Sequence, residues 1–338
     1  MLARRMRGVS GSRSELGLIQ QIQEGFARPR GGGVELGIGD DCALLRPRGW
    51  WEVVVTTDLL LEGRHFRRDL HSAESAGHRC IARGLSDIAA MGADPMAAFL
   101  SLGLPSSTMK RGAERRWLTR FLDGFRWLAD GSGVVLAGGD TGEVAEGGIV
   151  ADVVLVGQAP RGSSLRRLGA GVGDGIYVTG ALGGSAAELE RMLAGRGRRA
   201  RREEVAGVQP QSYPEPRLKV GAALRRRGLA TACIDVSDGL STDLGHLCEA
   251  SGVGAEVWAA ALPVHRLAAG RDGLRLALDG GEDYELLFTA RWPVPRRVAG
   301  VAVTRIGEVV ERRRGLRLLA ADGSRRRLQA GGWEHFRG

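Results

Sequence analysis

Lysine is nearly absent from this sequence: Lys110 and Lys219 are the only two among 48 basic residues, and the rest are arginine. Neither lysine lies beside a glycine-rich loop, and no GxxxxGK[ST] string occurs. That excludes a P-loop and a kinase-type glycine loop with its strand lysine. Aromatic residues make up only 5% of the chain. A nucleic-acid reader usually interleaves aromatics with a concentrated basic face. The net charge of +9 is therefore not taken as a sign of a nucleic-acid partner. The arginine runs at 4–7, 196–204, 225–227, 312–314 and 325–327 read as loops, termini or solvated helix faces. The four cysteines, Cys42, Cys80, Cys233 and Cys248, form no CxxC pair, which fits reduced thiols in a cytoplasmic protein. No apolar run reaches the length of about 18 residues that a membrane span needs. The basic start "MLARRMRGVSGSR" lacks the apolar core of a secretory signal and reads as an extension over 1–13.

Glycine, by contrast, is abundant at 53 residues, and carboxylates recur beside it or at the ends of apolar runs. Helical spacing marks 14–27, with Ser14 as a candidate N-cap, and 72–92, 115–130, 181–195, 216–228 and 239–251. Strand patterns mark 51–58, 97–105, 134–140, 149–158, 231–235, 254–258 and 284–289, with a β-rich tail from 301. The Gly-, Ser- and Pro-rich stretch 159–175 reads as a boundary, which predicts an N-terminal domain over 14–158 and a C-terminal domain over 159–338. Strands and helices alternate without a strict βαβ rhythm, so the expected class is α+β in two domains.

The acidic motifs are "GIGDDCALL" (37–45), "TTD" (56–58), "LSD" (85–87), "GGD" (138–140), "DVSD" (235–238) and "GGED" (280–283). Taken singly, each also fits a turn, a strand end, a solvated helix position or a helix N-cap. Taken together they suggest a site for Mg²⁺, which prefers hard oxygen ligands. Two like charges about 4 Å apart repel by roughly 4 kcal/mol at an effective dielectric near 20, so a gathered set needs cations. Adjacent glycines let backbone N–H groups approach phosphate oxygens.

The ordered set "GIGDDCALL", "TTDLLLEGRHF", "GLSDIAAMGADP", "LAGGDT", "DVSDGLSTDLGHL", "GGEDYELLFT", "IGEV" and "GWEHF" resembles the thiamine-monophosphate kinases. That family sits in the ATP-binding group that includes aminoimidazole ribonucleotide synthetase and selenophosphate synthetase. The resemblance runs from about residue 14 to the C-terminus. It implies transfer of the γ-phosphoryl group of ATP to thiamine monophosphate, giving thiamine diphosphate, with several Mg²⁺ ions and a compatible role for K⁺. The competing reading is a sister ligase-type enzyme that activates an amide or carbonyl oxygen. The resemblance assigns Asp41, Thr56, Thr57, Asp58, Asp87, Asp140, Asp235 and Asp238 to metal, with Asp58, Asp87 and Asp140 central to catalysis. It assigns Gly139, Asp140, Arg167 and Ser237 to ATP, and His65, Glu282 and Trp333 to the substrate. His65 equally fits a structural histidine, Trp333 an aromatic sealing the core, and Arg166 could stand in for Arg167. The implied fold pairs the N-terminal domain with its copy in a homodimer, closing a β-barrel flanked by helices.

Two departures stand out. Where the family usually continues "GGDTTRS", this chain reads "GGDTGEV" (138–144), so Glu143 occupies an arginine position in what is expected to be a loop. In "PQSYPEPRLKVG" (210–221), Tyr213 takes a place that is more often basic.

Overall fold

The computed structural model describes residues 15–26, 33–36, 38, 43–109, 112–145, 147–195, 209–270, 272–320 and 322–332. The chain divides into two compact units, one of Met1–Ile88 with Asp94–Arg161 and one of Ala89–Ala93 with Gly162–Gly338.

The first unit begins with α1 (Glu15–Phe26) and the short hairpin β1 (Val34–Leu36) and β2 (Leu44–Leu45). Then come β3 (Trp51–Leu61), α2 (Ala73–Ala90), β4 (Asp94–Pro105), α3 (Ala113–Ser132), β5 (Val135–Val144) and β6 (Val150–Pro160). Ser72 caps α2, its Oγ accepting the Ser75 N–H at 3.1 Å, and Gly92 at φ 63° turns the chain after the helix. The four long strands form an open sheet in the order β3-β6-β4-β5. One face is packed by α2 and α3 through Leu60, Ile81, Leu85, Phe121, Phe125 and Leu155, all fully buried. On edge strand β3 alternate residues take the other face, where Val53, Val55 and Leu59 are 49%, 61% and 48% exposed.

The strand expected over 134–140 does not end there but runs on through 141–144, expected to be a loop: β5 pairs in parallel with β4 from Ala97↔Val135 to Pro105↔Val144. Its glycines suggested a turn, but the long ladder decides the outcome. The same ladder explains Gly139, since a Cβ there would lie 2.0 Å from the carbonyl oxygen of Leu100. Strand β3 likewise continues past the expected end at 58 to Leu61.

The second unit contains β7 (Gly175–Thr179), α4 (Gly184–Leu193), α5 (Leu218–Arg226), β8 (Ala232–Asp235), α6 (Leu240–Ser251), β9 (Gly254–Trp258) and α7 (Gly273–Asp279). It ends with β10 (Leu286–Ala290), β11 (Arg297–Val298), β12 (Val301–Val310), β13 (Leu316–Leu319) and β14 (Arg325–Arg327). The main sheet runs β14-β13-β9-β12-β7-β10-β8, and β11 pairs with β12. All its pairings are antiparallel except β13 with β9. One core gathers Ile176, Val178, Ile234, Leu244, Leu247, Val257 and Leu287. A second gathers Tyr177, Val220, Leu224, Cys233, Leu286 and Phe288, and the Tyr177 and Phe288 rings stack at 5.4 Å. The arginine run 325–327, expected in a loop or helix face, is an exposed edge strand.

Candidate active site

Alternation along β3 sends Thr56 and Asp58 toward α2 and turns Thr57 to the opposite face. On the α2 side the Thr56 hydroxyl donates to Asp87 Oδ2 at 2.5 Å. Arg83, one turn earlier on α2, reaches Asp58 Oδ1 through Nε at 2.8 Å and Nη2 at 2.7 Å. On the other face Thr57 Oγ1 donates to Asp152 Oδ1 at 2.8 Å. Asp140 is exposed on β5, with Oδ1 accepting the Thr141 N–H at 2.8 Å. Burial, and then the charge of Asp58, push the Cys80 thiol well above its ordinary range. The Thr56 hydroxyl and the carboxylates of Asp58 and Asp87 offer hard oxygen donors here.

The "EGRHF" segment is held from several directions. Glu62 pairs with Arg68 at 2.9 Å and accepts the Ile149 N–H at 2.8 Å, while Arg68 lies 4.9 Å over the Trp117 ring. The fully buried Arg79 donates to the His65 carbonyl at 2.9 Å. His65 Nδ1 accepts the Leu61 N–H at 3.0 Å. A neutral ring in that arrangement carries its proton on Nε2 and offers a donor there.

In the second unit Asp235 ends β8, opposite Leu286 of β10, and is buried. The loop that follows wraps around one carboxylate: Asp243 Oδ2 accepts N–H groups from Ser237 at 3.0 Å and from Asp238 and Gly239 at 3.1 Å. Burial, then the charge of Asp238, push the Asp243 carboxyl up to about 7 against those three donors. Asp238, Asp243 and His246 each offer a ligand atom within 4.8 Å of the others, a set able to hold a cation. The "GGED" turn closes on the same loop, with the Glu282 N–H donating to the Ser237 carbonyl at 2.7 Å. Glu282 at φ 55° and Tyr284 at φ 50° occupy the left-handed region that non-glycine residues avoid. The side chain of Arg167 is exposed, and its carbonyl accepts from Ser251 Oγ at 2.8 Å. Gly331 and Gly332 are tied to α6 through Ser241 and Thr242. Asp41, Trp333 and the candidate cap Ser14 lie outside the described residues.

Among the sequence-assigned residues, then, Thr56 and Asp87 meet directly, whereas Thr57 points away from them toward Asp152. Sequence reasoning missed Arg83, Asp152, Asp243 and His246. Asp152 could have been noticed as a lone charge within the apolar run 149–157. Arg83 and Asp87 are spaced i,i+4 on a helix, which signals proximity but not that Arg83 would choose Asp58.

Comparison with known proteins now bears on this arrangement. Residues 39–159 match the N-terminal domain of AIR synthase related proteins, and residues 171–291 match the C-terminal domain. Thiamine-monophosphate kinase from Escherichia coli K12 is 39% identical over 322 residues, covering 90% of this chain and 92% of that protein. The chain belongs to the thiamine-monophosphate kinase family. Solved structures agree. The family member from Stenotrophomonas maltophilia K279a superposes with a TM-score of 0.74 at 37% identity, covering 91% of this chain and 95% of that one. AaThiL complexed with AMPPCP and TMP gives 0.72 at 31% identity, covering 95% and 97%. The two-unit α+β architecture is thus that of the thiamine-monophosphate kinases.

Proposed function

We propose that this chain transfers the γ-phosphoryl group of ATP to the phosphate of thiamine monophosphate, yielding thiamine diphosphate and ADP. The carrying observation is the paired Thr56–Asp87 and Asp58–Arg83 arrangement within a family whose relatives bear this activity in their names. A relative complexed with AMPPCP and TMP supports the same substrates.

In this reaction the bond from the γ-phosphorus to the β,γ-bridging oxygen breaks, and one from that phosphorus to a thiamine monophosphate oxygen forms. The attacking oxygen is already anionic, so the chain need not supply a general base. The barrier is the approach of two polyanions, and the task of the residues is to position them and offset their charge. We assign Gly139, Asp140, Arg167 and Ser237 to ATP. His65, through its Nε2–H, is assigned to the substrate phosphate, and Glu282 and Trp333 to the thiamine moiety. Glu282 accepts from the aminopyrimidine in this reading.

The carboxylate oxygens of Asp58 and Asp87, with the Thr56 hydroxyl, fit Mg²⁺. Asp41, Thr56, Thr57, Asp58, Asp87, Asp140, Asp235 and Asp238 are the residues proposed to hold it. Bound there, Mg²⁺ would neutralise phosphate charge. Glu143, exposed on β5 where the family usually has arginine, removes one cation from the assigned ATP strand. Arg83 brings a guanidinium to the acidic cluster from α2.

Two further features complete the reading. The uncovered apolar residues of β3 support a homodimer whose two four-stranded sheets close a barrel. Free, buried Cys80, Cys233 and Cys248 support a cytoplasmic setting. The direct test incubates pure protein with ATP, Mg²⁺ and thiamine monophosphate, with and without K⁺. Thiamine diphosphate and ADP are expected in equal amounts, and no product under any of these conditions would reject the proposal.

A further inference from the structure

The segment 209–213, which departs from the family pattern, folds back as a turn in the second unit and buries Gln211 and Ser212. Both are anchored by the buried carboxylate of Glu188 on α4. Glu188 Oε2 accepts the Gln211 N–H at 2.8 Å, and Oε1 accepts from Ser212 Oγ at 2.5 Å. The start of α4 is itself fixed by Asp283, which accepts N–H groups from Gly183 at 2.7 Å and Ser185 at 3.3 Å. From that fixed helix end the fully buried Ser185 hydroxyl donates to the Gln211 side-chain oxygen. This leaves the amide nitrogen of Gln211 as the donor, and Nε2 reaches Glu282 Oε2 at 3.1 Å.

Each link has a directional consequence. The Glu282 carboxylate can only accept, so it takes the Gln211 amide nitrogen, and the Ser185 hydroxyl holds the other end by donating to the amide oxygen. Glu188 fixes the backbone from which the amide projects. The chain of bonds ends on Glu282, an assigned substrate residue at a left-handed, strained φ. A carboxylate held on one oxygen by an anchored, neutral donor keeps its direction.

We infer that Gln211 is a positioning residue, which aims the Glu282 carboxylate at the aminopyrimidine of thiamine monophosphate through the Ser185–Gln211–Glu282 relay. This rests on the reading of Glu282 as a substrate contact. Gln211 does not touch the reacting phosphates, so its loss weakens binding of the thiamine moiety and spares ATP.

The experiment measures KM for each substrate, kcat and thermal melting for Glu282→Gln, Gln211→Met, Gln211→Glu and Ser185→Ala in the full chain. Losing a hydrogen bond to a charged group predicts a KM for thiamine monophosphate raised about tenfold or more in Gln211→Met. The KM for ATP should be unchanged, with kcat within a few-fold of the parent. Gln211→Glu keeps the acceptor for Ser185 but turns the donor facing Glu282 into a second carboxylate, and the two then hold a single proton between them. Its KM, relative to the parent at each pH, should be worst at pH 8 and recover toward pH 6. A purely structural role would not produce that recovery. If Glu282→Gln raises the KM while the Gln211 variants leave it at the parent value, the relay is overturned and the role of Glu282 survives. If Glu282→Gln leaves the KM unchanged, the assignment of Glu282 itself falls, and the relay with it. Should Gln211→Met not fold, Ser185→Ala and Gln211→Glu carry the same comparison.

Discussion

At the scale of single residues, charge is what needs explaining. Asp58 is a largely buried carboxylate whose Oδ1 is held by two nitrogens of Arg83. A cation arriving at Asp58 must share that carboxylate with the guanidinium. Asp58→Asn or Asp87→Asn should therefore abolish most turnover without loss of fold, since neither side chain belongs to the apolar core. Arg83→Met should raise the affinity for Mn²⁺, titrated calorimetrically without nucleotide, by a few-fold, because the competing cation is gone. Weaker Mn²⁺ binding in that variant would mean Arg83 supports the cation site rather than competing for it. Asp283 gives a pH prediction. Burial pushes its carboxyl up from 3.8 to about 7, with Gly183 and Ser185 N–H groups pulling down and Glu285 adding upward. Below about pH 4 both folded and unfolded forms carry the proton. Between there and about pH 7 the unfolded chain ionises while the native one keeps its proton, so stability falls as pH rises, by at most a few kcal/mol. Urea denaturation from pH 4.5 to 8 should show that slope in the parent and a shallower one in Asp283→Asn. Equal slopes would show that Asp283 ionises normally in the folded protein.

Elements bring out a different physics, that of close approach. Helices α2 and α3 cross on two glycines: a Cβ on Gly77 would lie 1.8 Å from the Phe121 carbonyl oxygen, and one on Gly124 would lie 2.0 Å from that of Glu74. Both obstacles are backbone, so no side-chain rotation relieves them and the helices must separate. Gly77→Ala should cost about 3 kcal/mol or more, exceeding the roughly 1 kcal/mol gained from helix propensity. Gly131, on the same α3 but with open space around it, serves as the control. There the substitution should stabilise by about 0.5–1 kcal/mol, measured by the same thermal melts. If both variants melt alike, the tight crossing is not real. Since α2 carries Arg83 and Asp87, a shifted α2 should also lower activity in Gly77→Ala and not in Gly131→Ala.

The elements also show what the sequence could and could not convey. Strand β9 falls at the expected 254–258, because apolar alternation there is set by burial on one face of its own sheet. The end of β5 was misjudged for an equally local reason: Gly142 after Asp140 and Thr141 looks like the close of a strand, and only the distant β4 carries the ladder on to Val144. The acidic motifs were legible as recurring carboxylates beside glycines and at strand ends. Their partners were not, because Arg83 meets Asp58 across 25 positions, Asp152 meets Thr57 across 95 and Gln211 meets Glu282 across 71. Spacing in a sequence carries no record of which distant residue will complete a pair.

At the scale of the whole molecule, the first unit presents a difficulty that one chain does not resolve. Its sheet is open, with β3 at one edge. That edge strand sets Val53, Val55 and Leu59 in a row at 49%, 61% and 48% exposure, on a face that no helix among the described residues of the first unit covers. Natural proteins blunt long apolar edges with charge, proline or a bulge. The outward positions of this strand between Val53 and Leu61 carry no charge or proline, since Asp58 faces α2, and the strand pairs with β6 in unbroken register. Fully burying each such side chain is worth about 1.5–3 kcal/mol, so an uncovered face of this kind favours association. A second copy would bring a matching face, and two isologous faces would cover each other. Light scattering after gel filtration should then give twice the 36.0 kDa chain mass. Val55→Glu combined with Leu59→Glu places charges on that face and should yield a monomer whose far-ultraviolet circular dichroism is unchanged. A parent protein that runs as a monomer at micromolar concentration would overturn the dimer, and with it the barrel that two sheets would close.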